Sequence, residues 1–347
     1  MTVHVNRDTA PALSLRERLQ RVWKAWSKIP AEDPRAVAVL DRLSDETQAL
    51  RDASHLWVTR KMPKVDQKDG RVDTANWLSY CLEVHFAAGF LRNEVRLAPE
   101  PRCEASNASN VDFAYEGQDG LRCNFELLRV SEAENIWAEQ ELKPGVTLFE
   151  GSWDGDDEAA QIRRLQRKLR EKTIRKGAPY KMPAPGPGVY NLLVADVTGI
   201  WLGGDPDYWD CRLLAQGRQA VIEWCRLDVL GLFEPENRWG PKFDQEFKQN
   251  RYFRERVHAI VFLMDTSRWG NSLDPRYEGA LALNPALLVP ETWLHDLGPV
   301  VRRGFEGWVE AWLSEPEVVD AARSKLAQMV REAGLTEDDL GDADPAI

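Results

Sequence analysis

Apolar residues recur at spacings of three and four along Ser14 to Lys28 (Leu15, Leu19, Val22, Trp26) and along Pro34 to Ala53 (Val37, Leu40, Leu43). That period predicts two amphipathic helices. The polar stretch Lys61 to Arg71 then marks a loose boundary, so residues 1–70 read as a helical region. Beyond it, Asp73 is placed to cap a helix running to about Asn93, whose apolar residues surround nearly the whole circumference. A helix of that kind belongs in a core. Glu83 is the only acid in its interior, beside Phe86, Ala87 and Phe90, and needs a donor, a cation or a proton there.

From Glu94 onward the pattern shortens. A short strand is expected near Glu94 to Ala98, followed by a hairpin over Asn110 to Val130, in which two strand-like runs flank an Asp119-Gly120 turn. Asp112 lies on the first run and Glu126 on the second. Next come a helix from about Ser131 to Glu141, a loop through Pro144-Gly145, and a basic helix that the acidic Asp154 to Glu158 opens and a Pro and Gly cluster ends near Gly177. Val189 to Val197 is a nearly continuous apolar run, as in a strand covered on both faces. Strand, helix, strand in that order implies a right-handed crossover and an α/β sheet. A helix over Arg212 to Asp228, a buried strand over Val257 to Met264 and helical segments over Phe305 to Ala333, interrupted at Pro316, complete an α/β region spanning 71–335. Asp196 and Asp265, at the ends of similar strands, read as loop-capping residues. The acidic tail 336–347 is expected to be disordered.

Composition adds bounds. A chain of 347 residues with 43% apolar content buries a sizeable core. Five scattered cysteines, with no C-x-x-C and no clustered histidines, suggest neither a zinc site nor a disulfide framework. No charged segment followed by an apolar one opens the chain, and no run of about 18 apolar residues occurs, so a cytoplasmic protein without a membrane span is expected. The net charge of -11 argues against a globally basic nucleic-acid binder. Charge is nevertheless segregated: Gln161 to Lys181 holds nine Lys or Arg and one acid, Glu171. Fourteen tryptophans, with Trp201, Trp209, Trp239 and Trp269 near loops, and paired acids also suit a carbohydrate-binding or carbohydrate-hydrolysing protein, a reading the basic helix counts against.

The chain holds no G-x-S-x-G, Walker loop, G-x-G-x-x-G or H-E-x-x-H. What remains is the pair of acids. A carboxylate on a half-buried strand is costly unless paired, and a divalent cation between two of them is one efficient partner. The order of a helix with a lone acid (Glu83), a hairpin carrying Asp112 and Glu126, then a basic helix leading into a buried strand resembles the PD-(D/E)XK, or restriction-endonuclease-like, nuclease superfamily. The resemblance covers roughly Asp73 to Gly199.

It implies a mixed central sheet flanked by helices, with helical additions at both ends, acting as a Mg²⁺- or Mn²⁺-dependent hydrolase of phosphodiester bonds. Asp112, Glu126 and the carbonyl of Leu127 would hold the metal, and Glu83 would support it. Position 111 is Val where the family has Pro, and Leu128 stands where the family places its water-orienting lysine. Lys172, at the edge of the inward face of the basic helix, is the candidate replacement, with Lys168 behind it. Arg164, Lys168 and Arg175 would contact phosphates. The implied partner is nucleic acid, DNA ahead of RNA, with a homodimer or larger complex possible. The alternative is a nuclease fold without catalysis, serving as a binding or assembly module.

Overall fold

The structure, a computed structural model, describes residues 13–66, 70–102, 109–117, 120–131, 137–143, 146–151, 158–175, 178–179, 181–199, 208–217, 229–237, 240–265, 277–287, 303–306 and 309–312. The chain divides into two compact units, 1–88 and 89–347.

The first unit is helical. Helix α1 (Leu15–Trp26) opens with a reciprocal capping box between Ser14 and Glu17, and α2 (Pro34–Asp52) has Asp33 as its cap and Pro at its first turn. A short α3 (Trp57–Arg60) follows, and α4 (Thr74–Arg92) starts where Asp73 accepts the Asn76 N–H. The spacing of apolar residues put these helices where they occur. Leu19, Trp23, Leu40, Leu43 and Trp77 fill the core, and Trp23, Trp26, Trp77 and Tyr80 form a chain of ring contacts at 5.3 to 6.1 Å. Glu46 and His85 make a short buried contact, and Arg42 lies 3.4 Å from the other ring nitrogen.

The second unit is built on a mixed seven-stranded sheet flanked by helices, in the order β1 (Ala98–Pro99), β2 (Phe113–Glu116), β3 (Arg122–Ser131), β8 (Val189–Gly199), β9 (Ala259–Asp265), β10 (Tyr277–Leu283), β11 (Val309–Trp312). Strands β1, β2 and β3 pair antiparallel. Strands β3, β8 and β9 run parallel, β10 is antiparallel to β9, and β11 is parallel to β10. Helices α5 (Glu158–Thr173), α6 (Tyr208–Gln216) and α7 (Asp244–Arg256) pack on one face, where Ile162, Leu165, Leu169, Leu214 and Phe253 meet Leu193, Ala195, Ile260 and Phe262. On the other face Phe90, from the last turns of α4, packs edge-on against Phe125 and Phe305. Leu192, Leu193, Val194 and Ala195 are all fully buried, the double coverage that the continuous apolar run implies.

Several sequence expectations need correction. Of the helix expected over Ser131 to Glu141, residues 137–141 are strand and 132–136 lie outside the described residues. Strand β3 stays paired with β8 as far as Ser131, and β4 (Trp137–Lys143) forms a hairpin with β5 (Val146–Gly151). A cross-strand partner at Val146, Thr147 and Phe149 overrides a weak helical propensity. The strand expected at Glu94 to Ala98 is only Ala98–Pro99, because the backbone turns back onto α4 through Glu94 (φ 59) and the Val95 N–H to Phe90 C=O bond. Helix α6 (Tyr208–Gln216) begins before Arg212 and ends at Gly217, whose φ of 78 is left-handed, and 218–228 of the span expected to be helical lie outside the described residues. Residues 309–312 form a strand, and 313–347, including Pro316 and the acidic tail, lie outside the described residues. The basic helix ends at Thr173, so Arg175 sits in the small hairpin β6 (Ile174–Arg175) with β7 (Ala178–Pro179). Helix α7 and strand β10 were not anticipated. Helix α7 buries only Asn250 and Phe253, which gives almost no apolar period to detect.

Beside Gly217, Gly231 shows how closely the chain is threaded: a Cβ there would lie 2.3 Å from backbone atoms of Gln216 and Gly217, where no side chain can give way. Gly231→Ala is therefore expected to cost about 1–3 kcal/mol or more. The check is a lowered urea midpoint at unchanged slope.

Candidate functional site

The β2–β3 hairpin brings its acids together. Phe113 pairs with Phe125 and Glu116 with Arg122, and one further step of that register sets Asp112 across from Glu126. Gly120 (φ 76) sits at the turn, and the Gly117 N–H to Leu121 C=O bond closes it at 2.7 Å. Asp112 lies just before β2 proper, where its Oδ2 accepts the Leu127 N–H at 2.8 Å. N–H and C=O of one strand residue lie on the same edge, so the Leu127 carbonyl also projects toward Asp112.

Glu126 is fully buried in the middle of β3. Its Oε1 accepts Lys172 Nζ at 3.2 Å and Lys181 Nζ at 2.5 Å, while its Oε2 has no partner among the described residues. Lys172 comes from the last turn of α5, and Lys181 from the segment after β7. Burial and the neighbouring charge of Asp112 push the Glu126 carboxyl up to about 7, with the two lysines pulling the other way. A folded-state value above the ordinary one near 4.5 stabilises the protein below about pH 4.5, and that contribution is lost as pH rises through about 7. In chelator, wild-type stability relative to Glu126→Gln is therefore expected to fall across that window. Parallel melting temperatures at every pH would refute it.

Around this pair, Arg122 Nε donates to Asn124 Oδ1 (3.0 Å), and Asn124 Nδ2 donates to Asn191 Oδ1 (3.0 Å) on β8. Arg129 has the opposite parity. On the other face of the sheet its Nη1 donates to Asp196 Oδ2 at 2.9 Å. Asp196 is a fully buried strand residue and also accepts the Thr198 N–H and hydroxyl, so it is not a loop cap. Asp265 ends β9. Glu83, in the first unit, accepts Lys61 Nζ at 2.8 Å and lines a cavity of about 310 Å³ with Lys64, Asp73, Asn76 and Tyr80.

The basic segment is thinner than its composition suggests. Arg170 is buried and donates to Asn250 Oδ1 on α7 at 2.7 Å, and Lys172 and Lys181 turn to Glu126. Arg167 is exposed and Arg164 and Lys168 are half-buried. Burial, then Arg164 and Arg167, lowers the Lys168 ammonium from its ordinary value. The side chain of Arg175 lies outside the described residues, as do Trp201, Trp239, Trp269 and the side chain of Trp209.

Thus Asp112, Glu126, Leu127 and Lys172 converge as the sequence suggested, and Lys181 joins them without having been singled out. It sits in a Pro-rich segment with no periodicity to give it a direction. The one available signal was that a buried glutamate beside a second acid needs more than one cation. Among the described residues no group of three or more His, Cys, Asp or Glu could hold a metal ion. The donor set does fit Mg²⁺ or Mn²⁺, which commonly uses one or two carboxylates plus waters: a bare buried Glu126 Oε2, the remaining oxygen of Asp112 and the Leu127 carbonyl. No helix among the described residues is long and apolar enough to cross a membrane. No protein-family model, curated protein or solved structure matches the chain.

Proposed function

We propose that the second unit is a restriction-endonuclease-like, Mg²⁺- or Mn²⁺-dependent phosphodiesterase acting on nucleic acid. The observation that carries this reading is a buried glutamate whose Oε1 meets two ammonium groups while its Oε2 has no partner among the described residues, set across a hairpin from a second carboxylate. The chain order also supports it: β2 and β3 antiparallel with the acids at their junction, then α5, then β8 parallel to β3.

Asp112, Glu126 and the Leu127 carbonyl would hold the cation, which when bound lowers the pKa of a water and offsets charge on the scissile phosphate. Lys172 and Lys181, both held on Glu126 Oε1, would orient a nucleophilic water and donate to an anionic oxygen. On this reading the lysine function falls to α5 and the segment after it, since Leu128 packs against the core formed by α5 and the sheet. Arg164 and Lys168 would bind flanking phosphates. By resemblance Arg175 would also contact phosphate.

Plasmid, single-stranded DNA and RNA should be cleaved by the full chain in Mg²⁺ or Mn²⁺, not in chelator, and not by Asp112→Asn. Metal-dependent cleavage that survives in Asp112→Asn would sink the assignment. The second reading, a fold without catalysis used for binding or assembly, has its own support: two lysines already pair with the buried Glu126 carboxylate. It predicts nucleic-acid retention, or none, with no cleavage under any metal.

A further inference from the structure

We propose that Asn191 and Arg256 are positioning residues for Lys181: they clamp the backbone just after it, at Met182 and Pro183, and so hold its ammonium group on Glu126. The part Lys181 plays in cleavage rests on the nuclease reading above; the clamp itself does not. Lys181 lies between β7 and β8, in no helix or strand, and a lysine side chain is a flexible four-carbon stem that fixes no direction by itself. Its Nζ nevertheless reaches Glu126 Oε1 at 2.5 Å. The next residue, Met182, has a left-handed φ of 64, which a residue with a Cβ avoids, and Pro183 biases the residue before it toward extended backbone instead. Local preference opposes this conformation, and such a conformation persists only where the surroundings over-determine it.

The surroundings do so from two elements. Arg256, the last residue of α7, donates from Nη1 to the Met182 carbonyl at 2.8 Å, and Asn191 on β8 donates from Nδ2 to the Pro183 carbonyl at 2.8 Å. The Met182 side chain is buried in the core between α5 and the sheet. Asn191 is fully buried and fixed in turn: its other amide hydrogen goes to the Arg256 carbonyl at 2.8 Å, its Oδ1 accepts Asn124 Nδ2 at 3.0 Å, and its backbone N–H donates to His258 Nδ1 at 3.0 Å. Asn124 precedes Glu126 by two positions on β3, on the same face. One amide therefore ties the strand that carries Glu126 to the segment that carries Lys181. Lys172 meets the same carboxylate oxygen from α5, without passing through Met182 or Pro183.

The test needs neither metal nor substrate. Full-length protein is labelled at trace level with acetic anhydride, and mass spectrometry reads the rates at Lys181, at Lys172 and at the exposed Lys64 as a reference. Wild type is compared with Arg256→Ala, Arg256→Lys and Asn191→Leu, with circular dichroism to verify folding. Arg256→Ala, at a half-buried position, removes the bond to the Met182 carbonyl and is the deciding variant; Arg256→Lys keeps a donor for that carbonyl. In Arg256→Ala and Asn191→Leu, Lys181 should label about tenfold faster than in wild type while Lys172 changes less than about twofold, the pattern of a local opening, and Arg256→Lys should return Lys181 toward the wild-type rate. In Mg²⁺-dependent cleavage, Arg256→Ala should lower kcat by up to about 100-fold with KM within about threefold, the effect of displacing a group at the reacting centre by about 1 Å.

Lys181 labelled at the wild-type rate in folded Arg256→Ala would overturn the proposal. So would Lys181 and Lys172 rising together, which is what general loosening of the second unit gives. Lys181 released alone, with cleavage unchanged, would uphold the clamp and remove Lys181 from the chemistry. Absence of cleavage by wild type would count against the nuclease reading, and the labelling rates would still decide the clamp.

Discussion

Glu126→Ala should abolish Mg²⁺- or Mn²⁺-dependent cleavage, with a fall of at least about 100-fold, because losing a residue that merely orients a metal ligand already costs about 10–100-fold. The substitution removes the bare buried oxygen and the group that gathers Lys172 and Lys181. Alanine also leaves those ammonium groups without their acceptor, so a folding defect must be separated from a chemical one. Glu126→Gln does so. An amide keeps the shape and, being neutral, carries none of the burial cost that raises the carboxyl to about 7. It should be at least as stable as wild type at neutral pH and still inactive. Cleavage in Glu126→Gln within about tenfold of wild type would refute a ligand role.

Asp196→Ala is expected to destabilise the second unit by about 3–5 kcal/mol, the usual result of removing one partner from a buried ion pair. Arg129 would be left with a side chain only 9% exposed and no anion, and its Nε already lacks a partner among the described residues. Thr198 would lose an acceptor for both its N–H and its hydroxyl. Replacing both members, as in Arg129→Met with Asp196→Leu, should recover most of the loss, since apolar residues of similar volume carry no desolvation penalty. Urea unfolding of the two single variants and the double closes the cycle. A single-variant loss under about 1 kcal/mol would show that the pair is hydrated and weak.

These two buried glutamate and aspartate residues differ in how legible they were. Glu126 stood out because an acid in an apolar strand, 14 positions from a second one across a turn, has few inexpensive explanations. Asp196 looked like a strand-end cap because its partner lies 67 residues away, and only the parallel register of β3 with β8 sets Arg129 against it. Lys172 could be placed near the inward face of α5 by helical period. Lys181 could not, since no period runs through Pro179 to Gly188. Residues 137–141, expected to be helical, are strand for the same reason in reverse, because β5 supplies a partner that local propensity does not reveal.

Taken alone, then, the sequence determined what repeats locally: the caps and apolar stripes of α1, α2 and α4, the β2–β3 hairpin with its two acids, and β8 as a doubly covered strand. Tertiary structure alone decided the sheet order, the strand identity of β4, β10 and β11, and the arrival of two lysines at one carboxylate oxygen. The physical reason is range. Periodicity and capping act over a few residues, whereas strand pairing and the neutralisation of a buried charge draw on partners whose positions only the folded chain brings together.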